Sequence, residues 1–189
     1  DQFLTNGDQS GTRSMHAASP MAGITFIPAS WLNLYGNLAT SFQTPTAVEL
    51  SNRADGLGGF NPDLGPERLR SGELGARGAI PTLRARFELA SYVSRVDDAL
   101  VRFTRADEQA YFRNAGQTSR RGVEALVDWM PASRLHVRTA YTWQRFVLDH
   151  FVAPEGNFSG KREPGAPPHQ LMVASNYTTR SGLFSALQY

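Results

Sequence analysis

VEALVDWMPASRLHVRTAYTW, residues 123–143, reads with period two on both sides of a short break. Val123, Ala125, Val127 and Trp129 alternate against Glu124 and Asp128, with Arg120 just upstream on the polar parity. Beyond Pro131-Ala132-Ser133, Leu135, Val137, Thr139, Tyr141 and Trp143 alternate against His136, Arg138, Thr142 and Gln144. Successive side chains of a strand point to opposite faces, so each half has one apolar and one polar face. Proline presets φ and serine bonds nearby backbone, so the break reads as a tight turn between two long antiparallel strands.

The same period recurs along the chain. Leu32, Leu34, Leu38 and Phe42 oppose Asn33, Asn37 and Ser41; Leu83, Ala85, Phe87, Leu89 and Val93 oppose Arg84, Arg86, Glu88 and Ser94. Leu171, Val173, Ser175 and Tyr177 oppose Gln170, Met172 and Asn176. Few windows carry apolar residues at the three- and four-residue spacing of a helix. The pattern predicts about eight strands, over residues 16–28, 31–43, 68–80, 83–104, 110–130, 133–150, 168–179 and 183–189.

Connector lengths sort by end. Short ones fall at residues 28–30, 80–82, 131–133 and 179–182; longer glycine- and proline-rich ones fall at 43–67 and 151–168, with a shorter cap at 105–109. Short turns at one end and long loops at the other predict an all-β, antiparallel up-and-down transmembrane β-barrel segment.

Composition is compatible with that reading. Apolar residues make up 41% of 189 and mean hydropathy is −0.36, so nothing approaches the roughly 18 consecutive apolar residues of a membrane helix. Barrel strands alternate lipid-facing and lumen-facing residues and so average out as hydrophilic. The chain has no cysteine, which excludes a disulfide framework and thiolate-bound metal. Of 19 basic residues only Lys161 is lysine, and the arginines are scattered among acidic neighbours, so no nucleic-acid partner is expected. The first residues, DQFLTNGDQSGT, are polar and glycine-rich and carry no signal-peptide pattern.

Trp129 sits before a short turn on the apolar parity, where an interfacial aromatic belongs. Tyr141 and Trp143 share that parity and are expected roughly 20–25 Å further along after allowing for strand tilt, about one apolar band away. On the polar parity lie Arg77, Arg84, Arg86, Glu88, Glu124, Asp128, His136 and Arg138, the expected lumen-facing set. A symmetric turn at Pro131 would set Asp128 opposite His136 and Glu124 within diagonal reach of Arg138. The residues alone leave three readings open: an energised transport barrel, a passive porin-like or structural barrel, and a secreted soluble β-sandwich that binds carbohydrate.

Ordered motifs separate these. Phe42-Gln43-Thr44-Pro45-Thr46 with Glu49-Leu50 is followed by Asn61, Pro62, Leu64, Pro66 and Glu67, and then by Glu73-Leu74-Gly75. Asn114-Ala115-Gly116, Gly122-Val123-Glu124, Tyr141-Thr142 and Pro164-Gly165 with Pro167 and His169 come next, and residues 177–183 hold a further turn. In this order and spacing they resemble the barrel of the TonB-dependent outer-membrane receptors over residues 14–189. The resemblance implies a Gram-negative outer-membrane location and a wall section of a barrel of about twenty-two strands. It further implies that residues 1–189 are a partial barrel domain, without the plug and TonB box through which TonB–ExbB–ExbD acts, and without the C-terminal aromatic strand. The implied cargo is a scarce nutrient, first a ferric siderophore, with copper complexes, cobalamin and oligosaccharides still open.

By that resemblance ligand would be met by extracellular loops and outer strand ends: Arg53, Asp55, Phe60, Asn61, Arg105, Tyr111, Arg113, Arg145 and His150. Arginines and aromatics suit an anionic, partly apolar chelate, through charge-assisted hydrogen bonds and stacking. The four histidines fall at no metal-ligand spacing, and no nucleophile motif or phosphate loop occurs, so neither enzyme activity, resident metal nor cofactor is expected. The adjacent carboxylates Asp97-Asp98 read as a solvated strand end rather than a cation site.

Overall fold

A computed structural model describes residues 8, 10–53, 55–105, 108–153 and 156–189. Most of the N-terminal run 1–9, and parts of the loops at 43–67, 105–109 and 151–168, therefore lie outside the described residues. The strands are β1 (Met21–Ala29), β2 (Leu32–Gln43), β3 (Glu67–Ile80), β4 (Ala85–Thr104), β5 (Ala110–Ala132), β6 (Leu135–Ala153), β7 (Gly156–Asn157), β8 (His169–Thr178) and β9 (Phe184–Gln188). Eight pair antiparallel in chain order as one meander, and the two-residue β7 folds back onto the end of β6. Neither β1 nor β9 has a second neighbour among the described residues, so the sheet is an open arc.

Cross-strand rows show how strictly the faces separate. One row runs Phe26, Leu34, Ala76, Leu89, Ala125, Tyr141, Leu171, and the next toward the short turns runs Leu32, Gly78, Phe87, Val127, Thr139, Val173. The opposite face carries Asn33, Arg77, Glu88, Leu126, Ala140, and then Arg86, Asp128, Arg138. No described residue covers the apolar face: Leu38 is 69% exposed, Leu74 71% and Val93 60%. A sandwich would bury this face against a second sheet, but all eight long strands lie in one. A leucine-rich surface of this extent needs hydrocarbon as its solvent.

Successive hairpins slide past one another. The last pair of the β3–β4 hairpin, Ile80 with Ala85, lies two residues beyond the Leu32–Gly78 row, and Leu135 lies two residues beyond Val137, which shares the Ala85–Trp129 row. A stagger of about one residue per strand is what a tilted barrel wall requires. The apolar band is shorter than the aromatic spacing suggested. Trp143 pairs with Val123, six residues from Trp129, about 20 Å along the strand and nearer 15 Å along the membrane normal at barrel tilt.

Two turns differ from expectation. β4 begins at Ala85 rather than residue 83, because Pro81–Leu83 form a single 3-10 turn closed by Arg84 at φ 50°. Arg84 is thus a turn residue, although it lines a recess with Arg86, Asp128, His136 and Arg138. In the next hairpin β5 continues to Ala132, and an irregularity follows Trp129. The register therefore sets Asp128 opposite Arg138, not His136, and Glu124 opposite Thr142, four residues from Arg138. Asp128 still meets both side chains: Arg138 Nε and Nη2 donate at 2.9 and 3.0 Å, and His136 Nε2 lies at 3.0 Å.

Glycines on the charged face are occupied by neighbouring rings. A Cβ on Gly75 would collide with the Tyr35 ring directly across the pair, and one on Gly122 would lie 2.6 Å from Tyr92. Each tyrosine ring occupies the space above its partner glycine, shielding backbone that carries no side chain of its own.

Candidate functional site

At the long-loop end, residues 44–66 fold down onto β5 instead of extending away from the sheet. The loop starts with a box. Glu49 Oε2 accepts from the Thr46 amide at 2.7 Å and from Thr46 Oγ1 at 3.0 Å, holding the 3-10 turn Glu49–Ser51. This is a capping box, and it explains the Thr-Pro-Thr-x-x-Glu spacing in local terms. Asn52 Nδ2 then donates to the Ala110 carbonyl at 2.8 Å.

The return half of the loop is buried. Asn61, 3% exposed, donates from Nδ2 to the Asn52 carbonyl at 3.3 Å and accepts from the Asp63 amide at 3.1 Å. Leu64 is 2% exposed. Asn114 Oδ1 accepts from the Gly65 amide at 2.7 Å, while Asn114 Nδ2 donates to the Gly65 and Asp98 carbonyls at 2.9 and 2.8 Å. The Asn-Pro-x-Leu-x-Pro-Glu and Asn-Ala-Gly motifs thus meet in space and close one hydrogen-bonded joint. Glu67 Oε2 accepts from the Leu100 amide at 3.2 Å, satisfying a backbone group freed where β4 bulges between Val96 and Leu100.

The nine expected ligand residues separate under this geometry. Arg53 and Asp55 pair with each other at 2.7 Å, and hydrogen bonding to Arg53 holds the Asp55 carboxyl below its ordinary value. Phe60 lies under Gly11, and its amide donates to the Asp8 carbonyl at 2.9 Å. Asn61 braces the loop from within. The Arg105 guanidinium packs against Gly56, whose φ is +86°. Tyr111 stacks on the buried Phe103 with centroids 5.5 Å apart, and Arg113 lies over the same ring at 6.0 Å.

Arg113 and His150 come together. They line a cleft of about 490 Å³ with Asp98, Asn114, Gln117 and Val152. Arg145 lies elsewhere, on the parity of Tyr141 and Trp143 and therefore on the apolar side. Asp98 is the residue that parity reasoning missed. It sits at φ 59° inside the β4 bulge, while its neighbour Asp97 accepts from Arg95 at 3.0 Å. The bulge has no signature in the strand pattern, and only left-handed backbone aims Asp98 at the cleft. Among the described residues no three His, Asp or Glu side chains converge as a metal site.

A second joint borders the cleft's strand pair. Arg120 makes a bidentate contact with Glu163 at 3.0 and 3.2 Å and lies 5.2 Å from the Phe146 centroid. Glu163 is held in place because its amide donates to the Phe146 carbonyl at 3.0 Å.

The family model described as TonB dependent receptor-like, beta-barrel matches residues 1–189. Among solved structures, the ferric-catecholate import receptor Fiu from E. coli K12 is similar at 19% identity and TM-score 0.63, over 89% of this chain and 23% of that one. The ferric yersiniabactin uptake receptor FyuA from Yersinia pestis is similar at 19% identity and TM-score 0.61, over 90% and 24%. The copper transporter OprC is similar at 14% identity and TM-score 0.68, over 84% and 24%. The chain spans about a quarter of the length of these proteins.

Proposed function

Because this chain belongs to the TonB-dependent receptor-like β-barrel family, a family of outer-membrane proteins, we propose that residues 1–189 form a section of the wall of an energised import receptor. The apolar face lies against lipid. The charged face, with Arg77, Arg86, Glu88, Glu124, Asp128, His136 and Arg138, lines the lumen, and Arg84 stands at its short-turn rim. The long-loop end faces the cell exterior. Transport is driven by TonB–ExbB–ExbD acting on a plug outside these 189 residues. The cargo is an anionic metal chelate, first a ferric siderophore of the kind named for two of the similar receptors.

The observation that carries this reading is the cleft at the long-loop end, where Arg113 and His150 converge beside the Phe103–Tyr111 stack. A guanidinium and an imidazole offer charge-assisted donors to catecholate or hydroxamate oxygens, and the adjacent rings offer stacking surface. Arg53 and Asp55, paired with each other in the 44–66 loop, are not among the residues that line this cleft. The test is ligand binding to the full receptor with Arg113→Ala and His150→Ala. Loss of a ferric chelate from both variants, with the barrel intact, is the expected result. Unchanged uptake of every ferric chelate tried, in the variants and in a deletion strain, would defeat the assignment.

A further inference from the structure

Three ionisable side chains share the cleft at the long-loop end without pairing with one another. Asp98, Arg113 and His150 are each exposed, line one volume of about 490 Å³, and have no ion pair among the described residues. Register keeps them apart. Gln117 pairs with His150 on β6, and on β4 the bulge sets Asp97 and Asp98 opposite it, between the Val96–Thr118 and Ala99–Gly116 pairs. Two strand spacings, about 10 Å, therefore separate the backbones of Asp98 and His150. Arg113 lies further along β5, its guanidinium held over the Phe103 ring at 6.0 Å.

The two adjacent carboxylates divide their roles. Asp97 accepts from Arg95 Nε at 3.0 Å, and Arg95 Nη2 donates to Gln117 Oε1 at 3.2 Å, so that guanidinium is spent within the wall. Asp98 is left without it. Its carbonyl accepts from Asn114 Nδ2 at 2.8 Å, and Asn114 is itself locked onto Gly65, which fixes the bulge and the direction of the Asp98 side chain at φ 59°. A fixed carboxylate and a fixed guanidinium thus line one cleft, and neither neutralises the other. An all-anionic guest would gain at Arg113 and be repelled at Asp98. A guest that also carries a cation gains at both.

We infer that the cleft recognises a ferric chelate bearing a cationic amine, with Asp98 accepting from the ammonium while Arg113 and His150 donate to the anionic metal-binding oxygens. The inference rests on the transport reading above and names a cargo class within it: amine-bearing chelates, ahead of trianionic tris-catecholates. The test measures binding to the full-length receptor by quenching of its tryptophan fluorescence. The probes are ferrioxamine B, a linear trihydroxamate ending in a primary amine, its N-acetylated form, and a trianionic ferric tris-catecholate. The parent should bind ferrioxamine B about tenfold more tightly than the N-acetylated form, the scale of one charge-assisted hydrogen bond. Asp98→Asn should erase that difference and tighten the tris-catecholate severalfold. Asparagine tolerates left-handed backbone as aspartate does, so the bulge is kept. If the variant does not assemble, the amine and N-acetyl comparison on the parent decides alone. Equal affinity for the two trihydroxamates, binding of neither, a preference that survives in Asp98→Asn, or a parent that prefers the tris-catecholate overturns the inference. Any of these beside Arg113-dependent binding of another ferric chelate leaves the transport reading standing, whereas binding of no ferric chelate at all defeats both.

Discussion

The Asn114 amide grips the Gly65 peptide from both sides, accepting from its N–H at 2.7 Å and donating to its carbonyl at 2.9 Å. A side chain on β5 thus takes the place of a neighbouring strand for one residue of a loop. Asn114→Ala leaves both peptide groups unpaired in a part-buried site, a cost of about 1–3 kcal/mol. We expect faster amide exchange and new protease cleavage within residues 49–66, with the barrel's heat resistance unchanged. Protection equal to the parent's would show that the joint is dispensable.

The tyrosine-over-glycine pairs predict strong coupling. Gly75→Ala drives a methyl group into the Tyr35 ring and should destabilise by about 1–3 kcal/mol as overpacking does. Adding Tyr35→Ala should recover part of that loss, so urea titrations of the two single variants and the double should be non-additive. Gly122→Ala should recover less when Tyr92 is removed, because its methyl also lies 2.8 Å from the Trp143 carbonyl.

The Arg53–Asp55 pair has a defined pH response. Hydrogen bonding to Arg53 lowers the Asp55 carboxyl below 3.8, so its ordering of the loop is fully present above that value. Ordering is lost as pH falls through the lower folded value. From pH 5 to 8 the intrinsic-rate-corrected exchange of the Leu57 amide, which donates to Asp55 Oδ1 at 3.1 Å, should stay flat. Asp55→Asn should raise it at pH 7. A midpoint between pH 5 and 8 would contradict the pairing.

Arg120 and Glu163 are each about a third exposed, so their pair contributes under about 1 kcal/mol after screening. Glu163→Gln should increase the mobility of a spin label placed at Gly160, and high salt should produce much the same increase in the parent. A label equally mobile in both proteins at low salt would show that the backbone bond to Phe146 holds the loop unaided.

The strand count, the two faces and the sorting of connectors follow from local chemistry, because period two and turn residues act within a few positions of one another. Trp129, Val127 and Asp128 could be assigned to faces from neighbours alone. The pairing of Asp128 with Arg138 could not, because the turn falls at residues 133–134, beyond Pro131, and one extra residue between Trp129 and Ala132 then offsets the register by one. The same limit governs the candidate site. Irregularities after Val96 and after Gln117 break the alternation, and beyond them parity no longer tells which face Arg113, Asp98 or His150 joins. Whether an extra residue is accommodated depends on the partner strand and on the loop groups, here Glu67 and Asn114, that satisfy the freed backbone. Those partners are 33 and 16 residues distant along the chain. The sequence by itself therefore determined a barrel wall with an apolar side and a charged side. Tertiary pairing alone decided which side chains converge above it, because register is a relation between strands and no single strand encodes it.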